Sequence, residues 1–270
     1  MKPKIVGVLA ALVAVPTIAA VVPGRLAGAA STPARTWSSH RAAATPVKAG
    51  TAVKGGTPTL VSVKVTTASD GVSSASRDAL RQPGRRLQGA PCTTAAATGT
   101  SAYTLSGVRA PSTTAHFNPA GAPVSGAALV FQAAFSTWMG GGAPSISVAS
   151  DGTATRPRAD HTYELMFANI GPRTLAVTYT WRWSTADYES DTVFNSKGPW
   201  FVASGEGSGC YPGVNAYDLQ DVATHEFGHI FGLDHVQALF NTMYPTATMG
   251  ETYKRSLAPG DALGIKAIYG

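Results

Sequence analysis

His225-Glu226-Phe227-Gly228-His229-Ile230-Phe231-Gly232-Leu233-Asp234-His235 places three imidazoles, two carboxylates and two glycines in one short stretch of a 270-residue chain. At 3.6 residues per turn His225 and His229 fall one turn apart on the same helix face, about 6 Å along the axis, so both rings can reach one ion. Glu226 is rotated by about 100° from His225, too far round to be a third ligand but near enough to touch a water on that ion. Gly232 supplies a break, because glycine adopts positive φ at little cost and lets the chain leave the helix and swing His235 back. Three neutral ligands leave the fourth position of a zinc ion open, as in catalytic rather than structural sites. A lone HExxH is a weak signal. Here three of the chain's six histidines share the longer pattern.

That pattern, HExxHxxGxxH, resembles the metzincin metallopeptidases, and Asn241-Thr242-Met243-Tyr244-Pro245 looks like the methionine turn that follows it in them. Within the metzincins the chain is most similar to the matrixin-like group, in Gly232-Leu233-Asp234-His235, in Met243-Tyr244-Pro245 and in the closing segment 260–270. The resemblance implies one catalytic Zn2+ on His225, His229 and His235, with Glu226 as general base. It also implies a secreted endopeptidase acting on protein or peptide substrates. Met243, which has no acid–base chemistry, would form an apolar floor under the histidines. Tyr244 directly follows the methionine, whereas the tyrosine that binds zinc in astacin- and serralysin-like relatives lies two residues after it. Val236 replaces the serine usual after the third histidine, and Pro245-Thr246-Ala247 lacks a tyrosine that usually walls the specificity pocket, so substrate preference does not carry over. No cysteine-switch motif and no His-x-Asp segment for a second zinc are present; Asp160-His161 reads as a solvated pair. Calcium is unassigned.

Met1 to Lys4 followed by the apolar run 5–22 and small residues to Ala30 reads as a secretory signal peptide, residues 1–30, with an uncleaved membrane anchor as the alternative. The expectation is a secreted, extracellular protein with no stable membrane insertion after cleavage. Residues 31–98 have the Ala/Thr/Ser/Pro/Gly composition of a pro-segment or linker, and only Leu60-Val61-Ser62-Val63-Lys64-Val65 alternates like a strand. Residues 1–98 hold 12 Lys+Arg against 2 Asp+Glu, while 99–270 hold 9 against 13. The chain's basicity thus belongs to the front segment. It fits solubility or a loose attraction to anionic cell-wall polymers, and without interleaved aromatics it does not fit nucleic acid.

Residues 99–270 suffice for one domain. Short strands are expected at 103–105 and 113–118, a packing helix over 124–139 ended by Gly140-Gly141-Gly142, and strands at 145–149, 163–168, 175–183 and 191–195. Asp218 caps an active-site helix over 219–231. The sum is an α+β domain. The matrixin resemblance adds a twisted, mostly parallel sheet with a packing helix, an active-site helix and a C-terminal helix. Tyr179, Trp181 and Trp183 alternate on one strand and read as core packing. Asp234 is a candidate acceptor for a ligand ring. Cys92 and Cys210, an even pair in an exported chain, read as a disulfide, with a zinc-switch role for Cys92 as the alternative. Two further functions stay open: a secreted binding or cell-surface protein with a structural or vestigial zinc, and a zinc hydrolase of non-peptide amides or esters.

Overall fold

The computed structural model describes residues 57–68, 93–206, 211 and 214–270, all within one compact unit, Val47–Gly270. The signal-peptide reading and both cysteines lie outside the described residues. Seven strands form the main sheet: β1 (Thr59–Ala68), β3 (Thr113–Phe117), β4 (Ile146–Ala149), β5 (Tyr163–Ala168), β6 (Thr174–Arg182), β7 (Tyr188–Asn195) and β11 (Thr246–Ala247). Their order is β11-β1-β6-β7-β5-β3-β4. The half running from β7 to β4 is parallel; β6 runs antiparallel to both β7 and β1, and β1 is parallel to β11. Two small pairs complete the strands, β2 (Thr104–Leu105) with β10 (Leu233–Asp234), and β8 (Trp200–Phe201) with β9 (Tyr217–Asp218).

The helices are α1 (Ala95–Thr98), α2 (Ala127–Gly140), α3 (Leu219–Ile230) and α4 (Pro259–Tyr269). Helices α2 and α3 pack on one face of the sheet through an aromatic core. Phe135 and Phe227 stack at 3.8 Å, and Phe131 stacks on Phe194 at 4.7 Å. Phe131, Phe135, Phe227 and Trp138 are wholly buried, and rings of this size dominate core energetics. The fold is the α+β arrangement expected, mostly parallel, with its packing, active-site and C-terminal helices in place. The alternating run 60–65 is a strand, β1, and it belongs to this sheet.

Two expectations are refined. Tyr179 packs against the buried cluster of Ala154, Met166 and Val193, as core packing requires, while Trp181 and Trp183 stay half-buried on the same sheet face, opposite to the buried Thr178 and Thr180. Asp160 and His161 are not a free pair: both amides donate to the buried Glu189 carboxylate, and the His161 ring stacks on Trp183 at 3.7 Å.

Candidate metal centre

Helix α3 starts where Asp218 accepts the Asp221 amide at 3.1 Å, satisfying one of the free donors of the first turn. Trp138 Nε1 donates to the Thr224 carbonyl at 2.7 Å and pins the middle of the helix to α2. Gly228 faces Met243 and Trp138 so closely that a Cβ there would overlap both side chains. The helix ends at Gly232, whose φ of +101° turns the chain through β10 and returns His235 to the helix.

The structure brings the three histidines together. Nε2 of His235 lies 3.2 Å from Nε2 of His225 and 3.1 Å from Nε2 of His229. Nδ1 of His225 donates to the Thr242 carbonyl at 2.7 Å, and Nδ1 of His229 to the Leu233 carbonyl at 2.9 Å. Those bonds place the Nε2 lone pairs of both rings inward, toward His235. Burial holds all three imidazoles neutral, pushing His229 down to about 3, His235 down to about 4 and His225 well below its ordinary value. Converging lone pairs repel unless a cation stands between them. A tetrahedral zinc with Zn–N of about 2.0–2.1 Å separates its nitrogen ligands by about 3.3 Å. The donor set therefore fits that ion in kind, number and spacing.

Glu226 is wholly buried, and burial pushes its carboxyl up to about 7. Oε2 accepts the Thr178 hydroxyl at 2.6 Å, while Oε1 is buried with no hydrogen-bond partner. An orphaned carboxylate oxygen is costly in a core and common where a site takes up a proton donor. Met243 is wholly buried against Gly228.

Some supporting residues carried no local signal. Thr178 reaches Glu226 from β6. Asp261 Oδ2 accepts the amides of Thr242 and Ala258, so one carboxylate holds the methionine turn and caps α4. Lys254, fully buried, donates Nζ to the carbonyls of Tyr244 and Thr246 at 2.6 and 2.8 Å. Asp234 orients no ring; its carboxylate takes the His235 amide and the Lys64 ammonium, both at 2.7 Å. Main-chain carbonyls orient His225 and His229 instead.

The matrixin family model matches residues 158–270, which hold every one of these side chains except Lys64 and Trp138. That stretch is similar to the matrixin family. Its relatives include metalloendoproteinase 1 of Glycine max, 42% identical over 71 residues that are 26% of this chain and 23% of that one. Stromelysin-3 of Mus musculus is 37% identical over 82 residues, 30% of this chain and 14% of that one. Neutrophil collagenase of Homo sapiens is 48% identical over 54 residues, 20% and 12% respectively. The chain thus spans less than a quarter of the length of each of these relatives. The methionine turn, the His triad and the closing helix all lie inside the matched range.

Proposed function

We propose that this protein is a secreted zinc-dependent endopeptidase, with His225, His229 and His235 as zinc ligands and Glu226 as general base. The observation that carries the reading is the convergence of three neutral imidazoles beside a buried carboxylate oxygen without a partner. A zinc ion there would polarise a substrate carbonyl and make its water acidic near neutral pH. Glu226, with a pKa near 7, is poised to take a proton from that water and to return it to the departing nitrogen. Thr178 keeps the carboxylate aimed, and the carbonyls of Thr242 and Leu233 keep two ligand rings aimed. The similarity to peptidases supports protein or peptide as the substrate class. Export rests on the apolar run 5–22.

The test is chelator-sensitive cleavage of a denatured generic protein. Glu226→Gln should keep stoichiometric zinc and lose nearly all turnover, whereas His229→Ala should lose the metal. Undiminished hydrolysis by Glu226→Gln would refute the assignment.

A further inference from the structure

Among the described residues Lys254 is the only fully buried lysine or arginine, and nothing in the hydrolysis proposed above uses it. Taking an ammonium out of water is costly, and an apolar side chain of similar volume often fills such a space with no loss of stability, so a buried charge calls for a specific target. The targets here are main-chain groups. Nζ of Lys254 donates to the carbonyls of Tyr244 and Thr246 at 2.6 and 2.8 Å. The amide of the same residue donates to Asp221 Oδ1 at 2.7 Å, on α3 about one turn before His225. Lys254 therefore ties the active-site helix to the segment that follows Met243.

That segment is one wall of a groove. Strand β1 lies in the groove, between β6 and β11, and Lys64 of β1 bonds Asp234, the neighbour of His235, so the groove passes the candidate metal centre. The two walls hold β1 at successive residues: the Thr67 amide donates to the Pro245 carbonyl at 3.4 Å, and the Ala68 amide to the Arg173 carbonyl, at the start of β6, at 3.1 Å. Thr67 is in register with Thr246. Along an extended chain successive carbonyls point to opposite sides. With those of Tyr244 and Thr246 drawn onto the ammonium, that of Pro245 faces the groove. Proline has no N–H, so at this residue the wall offers the groove an acceptor alone.

We propose that Lys254 is a substrate-positioning residue, whose ammonium fixes the 244–246 main chain so that the Pro245 carbonyl receives an amide of the extended polypeptide in the groove. The inference rests on the peptidase reading for the identity of that polypeptide as a substrate. The grip itself does not, because β1 fills the groove in the full chain and is held by the same carbonyl. Lys254 acts through Pro245 and takes no part in the chemical step. Its loss loosens the polypeptide on the Pro245 side and leaves in place the β6 side, the metal ligands and Glu226.

The test is residue-resolved hydrogen exchange on the full chain, wild type against Lys254→Met, whose side chain is of similar length and uncharged. In the variant the Thr67 amide should exchange roughly 10-fold faster, the size of one main-chain hydrogen bond, while the Ala68 amide keeps its wild-type rate. Lys254→Gln, which retains an N–H donor, should fall between the two, and it carries the same comparison if Lys254→Met does not fold. Both variants should bind stoichiometric zinc. In steady-state hydrolysis of an unrelated peptide, KM should rise by up to roughly 10-fold with kcat within about twofold of wild type, the pattern of lost uniform binding. An unchanged Thr67 amide would overturn the proposal. So would equal loss of protection at Thr67 and Ala68, loss of zinc, or a fall in kcat at constant KM, each of which makes Lys254 a general prop of the fold. If the zinc-loaded wild type hydrolyses no peptide, the peptidase reading fails on its own, and the exchange comparison still decides whether Lys254 sets the grip of the groove.

Discussion

The Thr178 hydroxyl donates to Glu226 Oε2 at 2.6 Å, so the carboxylate on α3 is steered by the strand next to it. The bond stabilises the ionised form of an acid that burial otherwise drives toward neutrality.

Thr178→Val removes that bond and leaves Glu226 with burial alone. Its pKa should rise further, so the base form is lost at a higher pH and the acid limb of kcat/KM moves to alkaline pH. A hydrogen bond to a charged group is worth about 1.5–3 kcal/mol, which corresponds to a shift of roughly one to two pH units. Zinc content should not change, and Thr178→Ser should restore the limb. An unmoved limb in Thr178→Val would show that the hydroxyl does not tune the base.

Gly228→Ala should destabilise the fold by about 1–3 kcal/mol, because the added methyl overlaps Met243 and Trp138 in a packed core. Met243→Ala in the same chain should recover part of the loss, since it removes one of the two obstacles. Denaturant unfolding of the two single variants and the double variant measures the coupling; additive losses would mean that the two residues do not meet.

The active-site helix was legible in the sequence because its information is local. His225 and His229 share a face by spacing alone, Asp218 caps its own helix, and Gly232 needs a positive φ that few other residues tolerate. Thr178, Lys254 and Asp261 were not legible, because each acts across a fold that only tertiary packing creates. Nothing near Lys254 in the chain announces that its ammonium is buried between two carbonyls of the segment after Met243. Strand β1 was legible as a strand from its alternation, but not in its placement. Its valines point outward, while Lys64 turns in to Asp234 and Thr66 is buried on the same face.

Acid should destabilise the metal-free protein through its histidines. His229 and His235 are held neutral down to about pH 3 and 4, while the same groups in the unfolded chain take up protons near 6.5. Between those limits the unfolded state binds more protons, so stability falls as pH drops below 6.5, by up to about 1.4 kcal/mol per pH unit for each histidine. Thermal melts in chelator from pH 7 to 4.5 should therefore be less steep for His229→Gln than for the wild type. Parallel curves would show that the ring titrates normally in the folded state.

Asp261 tests whether the second layer of the site matters to the first. Its carboxylate accepts the Thr242 amide at 3.0 Å, and the carbonyl of the same Thr242 takes Nδ1 of His225 at 2.7 Å. The Asp261 carboxylate also accepts the Ala258 amide, which caps α4. Asp261→Ala should cost about 1 kcal/mol through the lost cap and weaken zinc binding by roughly 10-fold or more through a loosened His225. Asp261→Asn, which keeps an acceptor oxygen, should retain most of the affinity. The two effects separate by measurement: unfolding at saturating chelator reports the cap, and competitive zinc titration reports the ligand. Full zinc affinity in Asp261→Ala, with the fold destabilised, would confine Asp261 to the cap and leave the position of His225 to the helix alone.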